Sequence, residues 1–573
     1  MDMVKLKING IPVEAEEGTT IIEAARLAGI DIPSLCYLKD INCIGACRVC
    51  VVEVKGARSL VASCVYPVEE GLEVWTNTPK VRQSRQTTLE LLLSEHHKKC
   101  LSCVRSDRCE LQKLCKDYGV DEDRFPDTDK LQEIDYSSSY LVRDNNKCIH
   151  CMRCTAMCHK QTVGVIGPRN RGHNKTIGCA FDVPLQETSC VGCGQCVVSC
   201  PVGALYEKSS VPAVWEAIAD PDKKVVFFTA PAIRATLGEE FDLPIGTNVE
   251  KKLPGAIRRL GADAVFDMDV TADLTILEEA NELVDRIKNK KPLPMFTSCC
   301  PGWVKFAEHN FHSLLPNLST CKSPQQMFGA LLKTYYCEKN NLKPEDLYVV
   351  SVIPCTAKKF EITRPEMAGD VDAAITTREL AQMISGAAIN FNALKDEAFD
   401  SPFDVASGAG VIFGATGGVM EAALRTAANI LDGDFKLVDF SEVRGVNGIR
   451  TATYNVAGME IKVAAASGLA DARKLCEEVE SGKSPYQFIE IMACPGGCIN
   501  GGGQPIQRDA TRNTVPIKEL RAKALYDEDK ALKIRRSHDS PVIERLYKEY
   551  FGKPNSEKAH HLLHTTYTPR DKF

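Results

Sequence analysis

Cysteine spacing constrains this chain more than any other feature of its sequence. Of the 26 cysteines in 573 residues, 20 fall into groups separated by short, recurring intervals. Thiolates at such intervals converge on one centre when turns bring them together, as iron–sulfur clusters require. The chain is too long for a small disulfide scaffold and begins without an apolar signal core, so we expect metal ligation in a cytoplasmic protein. Six cysteines fit no group and are expected to be small core residues: Cys43, Cys115, Cys179, Cys321, Cys337 and Cys476.

Length and charge limit the classes of function. A chain of this length predicts about four domains rather than one core. Its net charge of -6, with both signs mixed throughout, argues against nucleic acid as the main partner, because a phosphate backbone requires a basic face. No run approaches the ~20 apolar residues of a membrane span. We therefore expect no nucleic-acid or membrane partner.

Residues 1–80 predict a small α+β domain around the first cysteine group. Residues 4–8 alternate as a strand, Asn9 and Gly10 form a turn, and residues 20–25 read as a helix. The group resembles the plant-type 2Fe-2S ferredoxin domain, a β-grasp fold, although its first interval is longer than that family's. The resemblance predicts one 2Fe-2S cluster, with Cys43 as an alternative to the first of four ligands: Cys36, Cys47, Cys50 and Cys64.

Residues 81–125 predict a second metal module. Cys100, Cys103 and Cys109 leave one iron of a cube without a ligand, and His96 lies one helical turn before the first of them. His97 is the alternative donor. The H-x3-C-x2-C-x5-C spacing resembles the module with one histidine and three cysteine ligands found in complex I and certain hydrogenases, and it predicts one 4Fe-4S cluster.

Residues 126–209 contain an internal repeat. Two runs of C-x2-C-x2-C-x3-C lie 42 residues apart, which is the spacing of bacterial two-cluster ferredoxins. In that arrangement the fourth cysteine of each run binds the other cube. His159 stands where a proline normally follows the first run. We expect one 4Fe-4S cluster on Cys148, Cys151, Cys154 and Cys200, and a second on Cys190, Cys193, Cys196 and Cys158.

Residues 210–573 read as a large α/β domain. Apolar runs at 225–228, 348–353 and 411–413 predict buried strands, and each ends just before a proline- or glycine-containing segment. Open parallel sheets place their ligands at these ends. The glycine-rich segment 408–418 matches neither a dinucleotide loop nor a P-loop, so we do not expect NAD or ATP there.

Three motifs in this domain offer four thiolates for a further cube. They are Thr-Ser-Cys-Cys-Pro-Gly-Trp at 297–303, Pro-Cys-Thr-Ala-Lys at 354–358, and Glu-x-Met-x-Cys-x3-Cys-x2-Gly-Gly-Gly-Gln-Pro at 490–505. Cys299 is left over as a bystander, a disulfide partner or a proton carrier. Together the motifs resemble the three signatures of FeFe-hydrogenases, and the resemblance extends over the whole chain, towards the monomeric clostridial ferredoxin-linked type.

The resemblance implies a cofactor and its ligands. An H-cluster, a 4Fe-4S cube linked to a di-iron unit with CO, cyanide and a bridging dithiolate, would be held by Cys300, Cys355, Cys494 and Cys498. Lys358 would donate to a cyanide nitrogen, although its neighbour Lys359 reads as an ordinary surface lysine. With the accessory modules, the chain would carry three further 4Fe-4S clusters and one 2Fe-2S cluster.

The resemblance also implies a proton route and a pocket. Glu279, Glu282 and Arg286 share one face of a predicted helix at 271–288, a pattern that alone is typical of a solvated stripe. The family passes protons through Cys299, Glu279, Ser319 and Glu282, with Arg286 at the exit. Two positions depart from the family, Ile353 in place of methionine and Ala232 in place of serine. The implied pocket residues are Ala230, Pro231, Pro324, Gln325, Ile353, Phe413, Gly414, Val419 and Met492.

The C-terminal tail, from about residue 515, resembles the small-subunit segment of these enzymes. Residues 517–521 and 532–536 read as helical, and the histidines at 560, 561 and 564 do not by themselves favour a metal site.

Three functions follow as hypotheses. The first is reversible reduction of protons to dihydrogen, with ferredoxin or flavodoxin as electron partner and maturation proteins installing the di-iron unit. The second is a non-catalytic electron-transfer, sensor or assembly relative, which has no need of Cys299 and its carboxylates. The third is the catalytic subunit of an electron-bifurcating complex.

Overall fold

A five-stranded mixed sheet and one helix form the N-terminal domain. The computed structural model describes residues 2–126, 131–433 and 439–572. Val4, Leu6 and Ile8 are buried while their neighbours are exposed, so the predicted alternation is confirmed. The strands lie in the order Ile11–Glu16, Met3–Ile8, Glu73–Trp75, Val51–Val54 and Val61–Ala62, and the helix is Ile21–Leu27.

Short helices and hairpins form the next two modules. The helices Pro79–Ser94 and Glu110–Asp117 flank the second cysteine group. Each run of the cysteine repeat begins in a loop and continues into a helix, Arg153–Lys160 or Gln195–Ser199, and the two helices pack against each other. Two antiparallel strand pairs accompany them, Leu141–Arg143 with Leu205–Glu207 and Gly167–Arg169 with Thr176–Gly178.

Two four-stranded sheets form the centre of the large domain. The first is entirely parallel, in the order Ala264–Asp267, Lys224–Thr229, Leu347–Ile353 and Ala373–Thr376. The second has three parallel strands, Met295–Phe296, Phe488–Met492 and Met459–Ser467, and an antiparallel edge strand, Gly448–Val456.

Helices cover both sheets. The residues that follow the parallel strands Lys224–Thr229, Leu347–Ile353, Met295–Phe296 and Phe488–Met492 are those of the predicted pocket and cysteine motifs. None of the helices in the described ranges is both long and apolar enough to cross a bilayer. The helices of the large domain are Val211–Ala219, Pro231–Arg234, Leu253–Leu260, Asp269–Lys288, Pro301–Asn310, Pro324–Leu331, Cys337–Asn340, Ala357–Glu361, Thr377–Gly386, Gly408–Val411, Gly418–Leu431, Leu469–Glu480, Asp509–Thr514, Ile517–Ala531, Pro541–Leu546 and Glu557–Leu563.

Two local predictions are wrong. Residues 411–413 end the short helix Gly408–Val411 and enter a 3-10 turn, because Ser407 caps Ala409 and is itself held by Asp273 through contacts of 2.7 and 2.5 Å. A three-residue apolar run does not distinguish a strand from a buried turn. Residues 532–536 are not helical, since the helix ends at Ala531 and Arg535 turns back to Asp529 at 2.7 Å.

Candidate metal centre

Four cysteines from three distant parts of the chain meet in the large domain. Cys300 and Cys355 follow strands of different sheets, and Cys494 and Cys498 follow a third strand. Burial raises the pKa of each thiol, that of Cys355 to about 12, and repulsion from neighbouring cysteines adds to the rise at Cys355, Cys494 and Cys498. A bound cation removes this penalty because it holds thiols as thiolates. The donor set therefore suits an iron–sulfur cube.

Glycine turns allow the last two of these cysteines to approach. Gly496 and Gly497 both have φ near +93°, a left-handed conformation that favours glycine. A Cβ on Gly497 would lie 2.7 Å from the Thr416 nitrogen, and one on Gly501 would lie 2.2 Å from the Pro354 oxygen. The turn thus brings Cys498 against the segment that carries Cys355.

Lys358 is held at the edge of this centre. Its Nζ donates to the Cys299 carbonyl oxygen at 3.2 Å and to Glu361 Oε2 at 3.0 Å. Glu361 also accepts from Ser323 Oγ at 2.8 Å and from Gln325 Nε2 at 2.9 Å. The reading of Lys359 as a surface lysine is wrong, because Lys359 is buried and paired with Glu379 at 2.9 Å.

The predicted pocket residues are buried. Phe413, Val419 and Met492 belong to one apolar cluster that also packs Cys299 and Cys498. The Ala230 nitrogen donates to the Val352 oxygen at 2.9 Å, which places Ala230 and Ile353 at neighbouring strand ends. The Gln325 side chain is fixed by Ser351 as well as by Glu361. Gly414 is packed against Ala232, and Pro231 and Pro324 each begin a helix.

A line of polar groups leads from this centre along the helix Asp269–Lys288. Arg286 Nη2 donates to Glu282 Oε1 at 2.6 Å, and Ser319 Oγ donates to Glu282 Oε2 at 3.0 Å. Burial raises the pKa of Glu279 to about 8, and the charge of Glu282 adds to this rise while a hydrogen bond from Ser319 opposes it. Glu279 Oε2 has no hydrogen-bond partner in the part of the chain that the structure describes.

Glu279 in turn faces Cys299. After burial, its charge is the largest cause that raises the pKa of the Cys299 thiol. The charge of Glu490, on the strand Phe488–Met492, also raises the pKa of Glu279. The five residues predicted for the proton route therefore lie next to one another in space, in the order Arg286, Glu282, Ser319, Glu279 and Cys299.

The N-terminal cysteines also converge. The Cys36 nitrogen lies 3.4 Å from Cys47 Sγ, and Cys50 Sγ lies 3.4 Å from Cys64 Sγ. Hydrogen bonds from Cys47 and Cys64 lower the pKa of Cys36. Cys43 is exposed and its Sγ faces the Cys64 carbonyl oxygen at 2.6 Å, so the geometry favours Cys36 over Cys43.

In the second module His96 is buried while Cys100 is exposed. Burial lowers the pKa of His96 to about 4, which leaves the imidazole neutral, the form that binds metals. Its Nδ1 has no hydrogen-bond partner among residues 2–126, 131–433 and 439–572. An unsatisfied buried nitrogen is costly unless a ligand occupies it, and this suits the fourth ligand of a cluster.

The two runs of the repeat line two separate cavities. One cavity contains Cys148, Cys151, Cys154 and Cys200. The other contains Cys158, Cys190, Cys193 and Cys196. Each fourth cysteine thus lies with the other run, as the spacing predicts.

The second cavity adjoins the four-cysteine centre. Cys494 Sγ lies 3.7 Å from the Cys193 oxygen, and Thr356 Oγ1 donates to the Gly192 oxygen at 2.6 Å. A Cβ on Gly194 would lie 2.4 Å from Thr356 Oγ1, so this contact admits nothing larger than glycine.

Sequence reasoning missed Glu361 and Thr356. Glu361 follows Lys358 at i+3 on the helix Ala357–Glu361, a spacing that signals a pair on one helical face. No signal in the sequence pointed to the contact between Thr356 and Gly192, which lie 164 residues apart.

Family models match most of the chain. They are described as iron only hydrogenase large subunit, C-terminal domain (223–502), iron hydrogenase small subunit (515–570), 2Fe-2S iron-sulfur cluster binding domain (1–79), NADH-ubiquinone oxidoreductase-G iron-sulfur binding region (85–124) and 4Fe-4S dicluster domain (147–204).

Two curated relatives match over nearly their full length. The NADP-reducing hydrogenase subunit HndD of Solidesulfovibrio fructosivorans is 47% identical and covers 100% of both chains. Iron hydrogenase 1 of Clostridium pasteurianum is 42% identical over 99% of this chain and 100% of its own. A solved structure of a variant of the apo FeFe-hydrogenase HydA1 from Chlamydomonas reinhardtii matches with a TM-score of 0.57 and 39% identity, covering 64% of this chain and 100% of that one.

Proposed function

Because the chain belongs to the FeFe-hydrogenase family and carries accessory iron–sulfur domains, we propose that it reversibly reduces protons to dihydrogen with electrons from ferredoxin and protons delivered through Cys299. Its H-cluster domain and its 2Fe-2S and 4Fe-4S domains are established by family membership. The proposal covers the residues that bind each cluster, relay protons and line the pocket of the H-cluster. It also includes domain boundaries at about residues 80, 125 and 209, a cytoplasmic location and a monomeric state.

Cys300, Cys355, Cys494 and Cys498 would hold the cube, and Cys498 would also serve as a ligand of the di-iron unit. The supporting observation is the convergence of four desolvated thiols, with the charge of Lys358 opposing the rise in the pKa of Cys300, Cys355 and Cys498. When bound, the H-cluster supplies the iron site at which two protons and two electrons combine into dihydrogen.

The protein orients this group and excludes water from it. Lys358 Nζ is directed by Glu361, which is anchored by Ser323 and Gln325, and would donate to a cyanide ligand as a charge-assisted hydrogen bond. Phe413, Val419 and Met492 wall the site with apolar side chains. Such fixed, dry surroundings strengthen each polar contact that remains.

The proton route runs from Arg286 to Cys299. Glu282 accepts a proton near the Arg286 end, and Ser319 Oγ passes it towards Glu279. The raised pKa of Glu279, about 8, means that this carboxyl holds a proton at neutral pH and can return it. Cys299 Sγ is the last carrier.

Electrons would enter through the accessory clusters. The contact of Cys193 with Cys494 supports the cluster in the second cavity as the last step before the H-cluster. The 2Fe-2S and histidine-containing modules would come before it in the order of electron transfer and would receive electrons from the partner.

A second candidate concerns the electron partner. The relative named NADP-reducing hydrogenase subunit aligns over the full length of both chains, which favours a chain that works as one subunit of a nicotinamide-linked complex. In this chain the glycines of segment 408–418 make close packing contacts, with Asp529 against Gly408 and the Val443 oxygen against Gly417. We therefore assign any NADP chemistry to a partner subunit.

One experiment separates these functions. The protein, matured without oxygen, should show infrared bands of metal-bound CO and cyanide and should evolve dihydrogen from reduced ferredoxin. Matched assays with NADPH, with and without candidate partner subunits, decide the electron partner. A fully matured protein that neither evolves nor consumes dihydrogen with any donor would overturn the proposed activity.

A further inference from the structure

Glu282, Cys321 and His564 form a cluster of three metal-binding donors outside the H-cluster site. One ligand atom from each lies within 4.8 Å of the other two. Three atoms so placed are at most about 2.8 Å from a common centre, and zinc bonds of about 2.0–2.3 Å require only a small contraction. The sequence alone predicts only a small core residue at Cys321.

The backbone fixes two of the three donors side by side. Cys321 and His564 form an antiparallel bridge, in which the Lys322 nitrogen donates to the Leu563 oxygen at 2.8 Å and the Thr565 nitrogen to the Thr320 oxygen at 2.7 Å. The third donor, Glu282, lies on the helix Asp269–Lys288. Cys321 is fully buried and His564 nearly so.

A buried carboxylate orients the imidazole. His564 Nε2 lies 3.1 Å from Glu278 Oε2, and Glu278 also accepts from Tyr547 Oη at 2.5 Å and the Asn555 nitrogen at 2.7 Å. A proton on Nε2 directed at this carboxylate leaves Nδ1 as the free donor atom. Nδ1 faces the Thr320 hydroxyl at 2.8 Å, and that hydroxyl contacts Glu282 Oε2 at 3.2 Å. Metal-binding histidines are held by a carboxylate in this way.

The Glu282 carboxylate can bind a cation and keep its ion pair with Arg286. Arg286 binds Oε1, whereas Oε2 lies 3.9 Å from Cys321 Sγ and receives the Ser319 and Thr320 hydroxyls. The Thr320 backbone nitrogen also donates to Oε2, at 3.0 Å. A cation in the cluster would therefore compete with this N–H and with the two hydroxyls, while the arginine pair stays in place. The exposed His560 ring lies against the His564 ring, with centroids 4.2 Å apart and ring planes 44° apart, and offers a first ligand to a cation arriving from solvent.

We propose that this cluster binds a borderline-soft divalent cation, with zinc as the best match to one sulfur, one nitrogen and one oxygen donor. Glu282 Oε2 is the atom that accepts from Ser319, so the cation occupies a step of the proton route and stops turnover reversibly. The binding stands on the cluster alone, and the effect on turnover rests on the proposed function.

The test uses the matured holoenzyme, because empty cluster cysteines would themselves bind zinc. Crystals soaked in zinc chloride should show an anomalous peak at the zinc edge between Glu282, Cys321 and His564. The peak should vanish in Cys321→Ala and persist in Cys337→Ala, which removes a buried cysteine elsewhere. Glu278→Gln should weaken zinc binding about 10–100-fold, the usual effect of losing a carboxylate behind a metal-binding histidine.

Activity assays complete the test. Zinc should suppress dihydrogen evolution by wild type and Cys337→Ala, and the Cys321→Ala enzyme should keep its zinc-free activity and need at least tenfold more zinc for inhibition. The CO and cyanide bands should stay unchanged, showing that the H-cluster is intact. If wild-type crystals show no zinc peak, the proposed site is wrong. If they show a peak but zinc does not inhibit, the proposed block of the proton route is wrong, and the proposed hydrogenase activity is unaffected.

Discussion

Lys358 and Lys359 are adjacent in the sequence but have different environments and roles. Lys358 Nζ reaches the Cys299 carbonyl oxygen at the cysteine centre and is held by Glu361, while Lys359 is buried against Glu379. The motif predicted the first role, and no local pattern predicted the second. A charged side chain enters a protein interior only with a partner, and that partner is chosen by packing.

Replacing Cys299 with serine tests the proton route at its inner end. We expect turnover to fall by about 100-fold or more, because a positioned proton carrier contributes roughly 10²–10⁴. Hydrogen evolution should be measured beside iron content and the infrared bands of CO and cyanide, which should not change. Normal turnover with these controls in place would remove Cys299 from the route.

Glu279 should be protonated at neutral pH. Its pKa of about 8 results from burial and from the charges of Glu282 and Glu490, so the neutral acid prevails below pH 8 and the carboxylate above it. Infrared spectra should contain a protonated carboxyl band that titrates near pH 8 and is missing in Glu279→Gln. Glu279→Asp, which keeps the acid, serves as control. A band that persists in the glutamine variant would contradict the assignment.

Among the secondary-structure elements, two short helices determine which cysteines of the two runs bind the same cluster. Each run begins in a loop and ends on or after its helix, Arg153–Lys160 or Gln195–Ser199. Because the two helices pack on each other, the last cysteine of each run reaches the loop of the other. Repeat spacing predicts this exchange, since local backbone geometry sets it.

Single substitutions can verify the exchange. Cys200→Ala should abolish the same reduced-state paramagnetic signal as Cys151→Ala, and Cys158→Ala the same signal as Cys193→Ala. Electron paramagnetic resonance of the matured variants distinguishes the two clusters. If Cys200→Ala instead resembles Cys193→Ala, each run binds its own cube and the exchange is wrong.

At the scale of the whole molecule, Arg153 joins three parts of the chain. It is fully buried, pairs with Asp509 at 3.0 and 2.5 Å, and donates to the Tyr37 oxygen at 2.6 Å. The N-terminal domain, the cysteine repeat and the C-terminal segment therefore share one charged contact. Such a contact fixes how the domains dock, since a buried charge tolerates few alternative partners.

Removing the charge of Asp509 should loosen this docking. Asp509→Asn leaves the buried Arg153 without its paired carboxylate, which costs about 3–5 kcal/mol. Hydrogen exchange of residues 148–160 should accelerate relative to wild type. The matched variant Asp117→Asn breaks an exposed pair with Lys113 and should change stability by about 0–1 kcal/mol. Equal exchange in the two variants would contradict a docking role for Arg153.

Sequence motifs indicated the iron–sulfur chemistry of this protein. The four cysteines of the large domain lie far apart in the sequence, and the resemblance of their motifs to a known family predicted that they share a centre. Cysteine spacing predicted the accessory clusters and the exchange of ligands between the two runs, because ligands a few residues apart are positioned by the local backbone. Alternation in residues 4–8 and the apolar run 348–353 likewise gave their strands. These features need no knowledge of distant parts of the chain.

Only the tertiary structure decided which distant groups meet. It favoured Cys36 over Cys43, folded residues 411–413 as a turn held by Asp273, and set Glu361 behind Lys358. Packing also brings His564 beside Glu282 and Cys321, which are far from it in the sequence. The three residues form a candidate cation site although no sequence motif contains them. Contacts across such separations depend on how helices and sheets pack, and packing is a property of the whole chain.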